Sequence, residues 1–144
     1  MTQADPEMPS ALDMTRENVT RLLEEKAGAL AAVRRLADRL RKDGNRMGLA
    51  PWFYADLLKT FDMFVLYIEG FGQCARACVL TQYFLATKSE SARRDAGAAV
   101  TALAAFAGEL RASVSRTALL HYVYMLLDPD RVDALVRDLQ ARLT

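Results

Sequence analysis

The sequence predicts an all-α protein: an antiparallel bundle of four or five helices around a long, mostly buried central helix. Apolar residues recur every three or four positions through most of the chain. No segment alternates polar and apolar residues as a half-buried strand does, and no repeat is present. With 52% hydrophobic and 26% charged residues over 144 positions, the composition is that of one folded domain. We expect a flexible lead-in over residues 1–12 and one bundle domain over residues 13–144.

The first helix is expected to begin near Thr15, with Asp13 or Thr15 as its N-cap. Acidic residues lie in its early half and basic residues at its end, in agreement with the helix macrodipole. Gly44 is predicted to end it as a left-handed cap. The apolar positions at helical spacing are Val19, Leu22, Leu23, Ala27, Leu30, Val33, Leu36, Ala37 and Leu40.

The central helix is predicted from Pro51, which suits a first helical position, to about Ala86. It is apolar on nearly all sides, which is typical of a helix buried on most sides. A bend is expected at Gly70 or Gly72. Trp52, Phe53 and Tyr54 are interpreted as core, with a surface recognition patch as the alternative. Its one polar stripe consists of Asp56, Lys59, Asp62, Glu69, Gln73 and Arg76.

Three shorter helices are expected to follow. Thr87 and Glu90 have the spacing of a capping box that opens the third helix. A fourth helix is predicted over 117–127, and Asp128 with Pro129 opens a fifth. The third helix should bury Ala96, Ala99, Val100, Leu103, Phe106, Ala107 and Leu110, and the last should bury Val132, Leu135, Val136, Leu139 and Leu143.

The charge balance and the apolar runs exclude several classes of protein. The net charge of +1 gives no global attraction to nucleic acid. The first residues contain no apolar core of a signal peptide. The longest uncharged stretch of the central helix, 77–87, is much shorter than the roughly 20 residues of a membrane span. We therefore expect a cytoplasmic, bacterial-type protein with no membrane contact, unless the chain was cut from a larger secreted protein.

One local basic cluster supports an alternative function. A small helical subunit of a nucleoprotein complex would use the end of the first helix, although Asp38 and Asp43 dilute its charge. The candidate nucleic-acid-binding residues are Arg34, Arg35, Arg39, Arg41 and Lys42.

Cys74 and Cys78 lie one helical turn apart and are interpreted as small buried residues. The alternative is half of a thiolate metal site, for which His121 is the only further soft ligand. Glu69 is interpreted as part of a solvated or ion-paired stripe, with a general-acid role as the alternative. We expect no cofactor and no metal.

Arg116 and His121 have a spacing that resembles the Arg-x4-6-His signature of HEPN-type ribonucleases, which are also small α-bundles. The resemblance implies metal-independent cleavage of RNA, in which the Arg and His act on the scissile phosphate and the 2′-hydroxyl. Thr117 follows the Arg here, where that family usually has Asn or Asp.

Three further segments are TRENVTRLLEEKAGAL (15–30), LYIEGFGQCARACVLTQYFLAT (66–87) and HYVYMLLDPDRVDALVRDL (121–139). Together they resemble the helical C-terminal region of large bacterial glycoside-hydrolase-like proteins. This resemblance implies an accessory bundle that follows a catalytic barrel, either excised or free-standing. It implies no catalytic residue in this chain.

A coherent catalytic set is missing from the sequence, yet the chain is unusually apolar. These two observations favour a non-catalytic helical module that acts by packing against a partner protein or domain, or by self-association. The HEPN-like ribonuclease and the nucleoprotein subunit stay as alternatives.

Overall fold

A computed structural model describes residues 15–114 and 127–144. These residues form four α-helices and one short 3₁₀ turn, without a strand. The helices are α1 (Arg16–Asp43), α2 (Pro51–Thr87), α3 (Glu90–Val114) and α4 (Pro129–Leu143), and the 3₁₀ turn is Gly44–Met47. The all-α prediction is confirmed for this part of the chain. The predicted lead-in, and the predicted fourth helix up to residue 126, lie outside the described residues.

Helix α2 contacts each of the other three described helices. On α1, Arg34 pairs with Glu69 of α2 at 3.1 Å, and Arg41 pairs with Asp62. The residue numbers rise along α1 as they fall along α2, so the two helices are antiparallel. At the other side, Arg111 of α3 reaches two carboxylates near the start of α4, and it therefore ties the C-terminal end of α3 to the N-terminal end of α4.

The core lies mainly between α2, α3 and α4. All seven residues predicted as the buried face of α3 are buried, so that prediction is confirmed. On α4, Val132, Val136 and Leu139 are buried and the other two predicted residues are partly buried. Alanines on α3 allow its backbone to approach α2 closely. At Gly70 the approach is closest, because a Cβ there would overlap the Leu127 side chain and lie 2.9 Å from the Phe106 ring.

The end of α1 differs from the prediction. Gly44 has φ −61° and is not left-handed; the chain continues through the 3₁₀ turn, and Gly48 (φ 65°) is the left-handed residue. Gly44 is required for another reason, since a Cβ there would overlap the Tyr54 ring. The Tyr54 hydroxyl lies 3.0 Å from the carbonyl oxygens of Leu40 and Arg41, and its one proton can be donated to either of them. It thus adds to the capping of the carbonyl end of α1, where the Gly44 amide already donates to the Leu40 carbonyl oxygen.

The predicted N-caps are confirmed at two helices and wrong at a third. Thr15 accepts the Asn18 amide at 3.2 Å, and Asp128 accepts the Asp130 amide at 2.9 Å. At α3 the cap is Ser89 instead of Thr87, since the Ser89 hydroxyl accepts the Ala92 amide at 3.3 Å. Thr87 is still part of α2, which ends at the left-handed residue Lys88.

Helix α2 is one continuous helix through Gly70 and Gly72. The bend expected there stays a prediction. The prediction that it is mostly buried is wrong. Of its 37 residues only Gly70, Ala77, Leu80 and Thr81 are buried. All four lie in its C-terminal half, where α3 and α4 pack against it, while α1 covers one flank. The described helices therefore leave a wide side of α2 uncovered.

Candidate interaction surface

The uncovered side of α2 is lined by aromatic side chains. Phe53, Phe64 and Phe71 keep 45%, 56% and 51% of their surface exposed. At about 100° per residue, the three point within about 20° of one another around the helix axis. Leu57, Ile68 and Ala75 are half-buried and lie within about 60° of Phe71 on one side, whereas the exposed Thr60 and Asp56 lie within about 60° of it on the other side. We call the following set the phenylalanine face: Phe53, Leu57, Phe64, Ile68, Phe71 and Ala75.

No charged residue belongs to this face. Four of the five charged residues of α2 (Lys59, Asp62, Glu69 and Arg76) point at least about 120° away from Phe71, and Asp56 points about 60° away. Tyr67 packs its ring against Phe71 with centroids 4.8 Å apart. From residue 53 to residue 75 the face runs about 33 Å at 1.5 Å per residue. It is therefore a long, narrow and uncharged strip.

The aromatic residues at the start of α2 lie outside the buried core. Trp52 is 70% exposed and meets the Phe53 ring edge-on, with centroids 5.8 Å apart. The interpretation of these two residues as core is wrong, because α2 begins beyond the region that α3 and α4 cover. Tyr54 is half-buried against α1 and does not belong to the core cluster.

A second apolar surface is a groove between the ends of α1 and α2. Leu36, Leu40, Met47 and Phe61 line it, and Arg39 and Asp43 stand among them. Leu36 and Met47 are 53% and 61% exposed. Leu36 was expected on the core side of α1, but within α1 only Val19 and Ala37 are buried. The groove is shorter than the phenylalanine face and carries charge.

The predicted basic cluster is partly neutralised. Arg34 is paired with Glu69, and Arg41 is paired with Asp62 and with Asp38 at 3.4 Å. Phosphate binding by these two arginines would compete with the contacts that join α1 to α2. Of the five candidate residues for nucleic acid, this leaves Arg35, Arg39 and Lys42 on the exposed surface of α1.

Cys74 and Cys78 are free thiols, each half-buried. Burial raises the pKa of Cys74 above its ordinary value, and the neighbouring Cys78 raises it further. Burial also raises the pKa of Cys78, against a lowering by Arg142 and with a smaller raising by Asp138. Protonated thiols are poor metal ligands. Among the described residues no three His, Cys, Asp or Glu side chains are grouped to hold a metal.

Of the other candidate catalytic residues, only Glu69 lies within the described part of the chain. Its carboxylate accepts a hydrogen bond from Arg34 at 3.1 Å, which agrees with an ion-paired stripe. Arg116 and His121 lie outside the described residues, so the ribonuclease alternative stays a prediction.

By length and composition α2 would also pass for a membrane-spanning helix. Its most apolar 18-residue window has a mean hydropathy of 1.3, and 17% of that window is buried within the protein. A single helix of this kind is weak evidence for a membrane span, although its low burial differs from that of the mostly buried core helix of a soluble protein.

No protein family, curated protein or solved structure matches this chain. The resemblance to the helical region of glycoside-hydrolase-like proteins therefore stays a prediction. The phenylalanine face could have been found in the sequence from the spacing of residues 53, 64 and 71. Apolarity on nearly all sides of α2 hides this face in the sequence, because the pattern predicts burial on most sides.

Proposed function

We propose that this protein is a non-catalytic helical module, arranged as a bundle around α2, that binds another protein through the phenylalanine face. The exposure of Phe64 and Phe71 is the observation that carries the proposal. A phenylalanine that buries 150–250 Å² when covered leaves about 100 Å² in water when half exposed. Aligned aromatic side chains of this kind are typical of the centre of a binding surface.

A protein partner fits this face better than a bilayer does. Helix α1 packs along α2, and 13 of its 28 residues are charged. A membrane-spanning α2 would draw α1 into the hydrocarbon with it, at a cost of about 2.5–3.5 kcal/mol for each central charge. A helical groove or helix of another protein covers the same apolar strip without that cost.

An enzymatic role has little support in the described residues. The one ionisable side chain singled out there as a catalyst, Glu69, is occupied by Arg34. The two cysteines have raised pKa values, and no third ligand lies beside them among the described residues. The phenylalanine face itself carries no group that moves a proton or attacks a substrate. Its chemistry is that of apolar contact.

Site-specific photo-crosslinking in cells tests this function. A benzoylphenylalanine at position 64 should give covalent adducts with a protein, since the side chain would lie inside the interface. The matched control places the same group at position 36, which lies on α1 outside the phenylalanine face. Leu36 is nearly as exposed as Phe64, at 53% against 56%. Adducts at position 36 and none at position 64 would show that the phenylalanine face is not the binding surface.

A further inference from the structure

We infer that the partner is a second copy of this chain, with the two α2 helices packed antiparallel across their phenylalanine faces. The inference rests on the proposed function and names its partner. Two copies bring no like charges together along this strip, because the face carries none. A charged partner surface would instead bury ions without a counter-charge, which is costly. A fitting partner must therefore present an uncharged apolar strip of similar length, and α2 itself does so.

The spacing along α2 is that of a helix-pairing seam. Apolar residues follow one another at alternating intervals of four and three, which is the pattern of heptad a and d positions. The series runs Leu57, Phe61, Phe64, Ile68, Phe71 and Ala75. Within the described structure no other helix covers Phe64 or Phe71 by more than half. The seam is thus complete in sequence. Among the described residues, Phe61 lies in the groove beside α1, while Phe64 and Phe71 remain about half exposed.

The sizes of the seam residues favour the antiparallel orientation. In a parallel pair each layer would place identical residues together, so that two Phe64 rings would meet in one layer and two Ala75 methyls in another. Alternation of large and small residues across facing positions packs better. An antiparallel pair with a and d positions facing puts Phe64 beside Ala75 of the other copy, and Ile68 beside Phe71.

The surface that two copies would bury is at the lower end of the range for a specific dimer. The three exposed phenylalanines of each copy leave about 100 Å² each, so the pair would bury about 600 Å² from these rings alone. The half-buried residues of the face bring the total towards the roughly 1,000 Å² expected of a specific interface. The dimer should consequently dissociate on dilution into the micromolar range.

Sedimentation velocity on the full chain tests the dimer. With rising concentration, the wild type should move from its 16.0 kDa mass towards twice that mass. The double variant Phe64→Asp/Phe71→Asp should stay monomeric, and its far-UV circular dichroism should show that it folds. Leu36→Asp is the matched control and should still dimerise. A wild type that stays monomeric, or a Leu36→Asp variant that alone loses the dimer, would overturn the inference.

A distance measurement keeps the inference testable should the double variant not fold. A spin label at Gln82→Cys, with Cys74→Ser and Cys78→Ser, changes none of the six residues of the phenylalanine face and lies at its C-terminal end. In the antiparallel register residue 82 lies beside residue 57 of the other copy, so the two labels should be about 37 Å apart along the axis. A distance below about half that value would overturn the orientation, and the lack of any dipolar signal would overturn the dimer. If position 64 formed adducts with a different protein and the wild type stayed monomeric, the proposed function would still hold. Only the inference that the partner is a second copy would be wrong.

Discussion

Two glycines on α2, two residues apart, provide a matched test of the packing. A Cβ at Gly70 would overlap the Leu127 side chain and crowd the Phe106 ring, whereas a Cβ at Gly72 meets nothing within 4 Å. Both substitutions to alanine gain the same intrinsic helix propensity, about 1 kcal/mol. Only Gly70→Ala also overpacks a buried contact, which typically costs about 1–3 kcal/mol.

We therefore expect Gly72→Ala to raise the free energy of unfolding by up to about 1 kcal/mol. The free energy of unfolding of Gly70→Ala should be about 1–3 kcal/mol lower than that of Gly72→Ala. Urea titration followed by circular dichroism at 222 nm measures both, at one protein concentration so that self-association affects them equally. Equal stabilities of the two variants would refute the close packing of α2 against Phe106 and Leu127, and with it the assignment of the core.

Three further predictions concern side chains beside the core. Tyr54→Phe removes the hydroxyl that caps the end of α1, and should lower the free energy of unfolding by about 1 kcal/mol in the same titration. Thr81→Val should raise it by about 1–3 kcal/mol, because the fully buried Thr81 hydroxyl has no hydrogen-bond partner among the described residues. The exposed Thr101→Val is its control, and a destabilised Thr81→Val would contradict the unpaired hydroxyl. Because burial raises the pKa of Cys74 and of Cys78 in the folded chain, the unfolded chain loses these protons first. The stability that the two protonated thiols give to the folded chain is present below the ordinary thiol pKa of 9.0, and it is lost as the pH rises beyond that value. The wild type should accordingly lose stability above that pH more steeply than Cys74→Ala/Cys78→Ala, and parallel pH profiles would contradict the buried thiols.

Local sequence patterns predicted much of the fold. The period of alanines and large apolar residues on α3 identified its buried face, because one side of that helix is polar and the contrast is clear. Thr15 and Asp128 were predicted as caps for a local reason, since each bonds an amide two or three residues away. The Gly44 prediction failed because a residue ten positions away, Tyr54, determines what fits there. A contact of that kind leaves no local signal.

The candidate site was harder to predict for a related reason. A helix that is apolar on every side does not reveal which side its neighbours cover. The structure resolves this for α2, because the buried Gly70, Ala77 and Leu80 turn towards α3 and α4 while Phe64 and Phe71 remain exposed. At the closest contact the packed side carries Gly70 and Ala77, and the aromatic rings of Phe64 and Phe71 remain on the open side.

Under the proposed function, Phe64 faces outward and becomes covered when the protein binds its partner. Fluorine NMR of a 4-fluorophenylalanine at position 64 tests it directly, through the change in chemical shift between H₂O and D₂O. At low protein concentration, the difference in chemical shift between H₂O and D₂O should be that of an exposed ring. This difference should become smaller as the protein concentration rises. The same label at position 106, where the ring is 3% exposed, provides the buried reference at all concentrations. If the shift difference at position 64 equalled that at position 106 at every concentration, the Phe64 ring would lie in the core. That result would contradict the proposed binding surface.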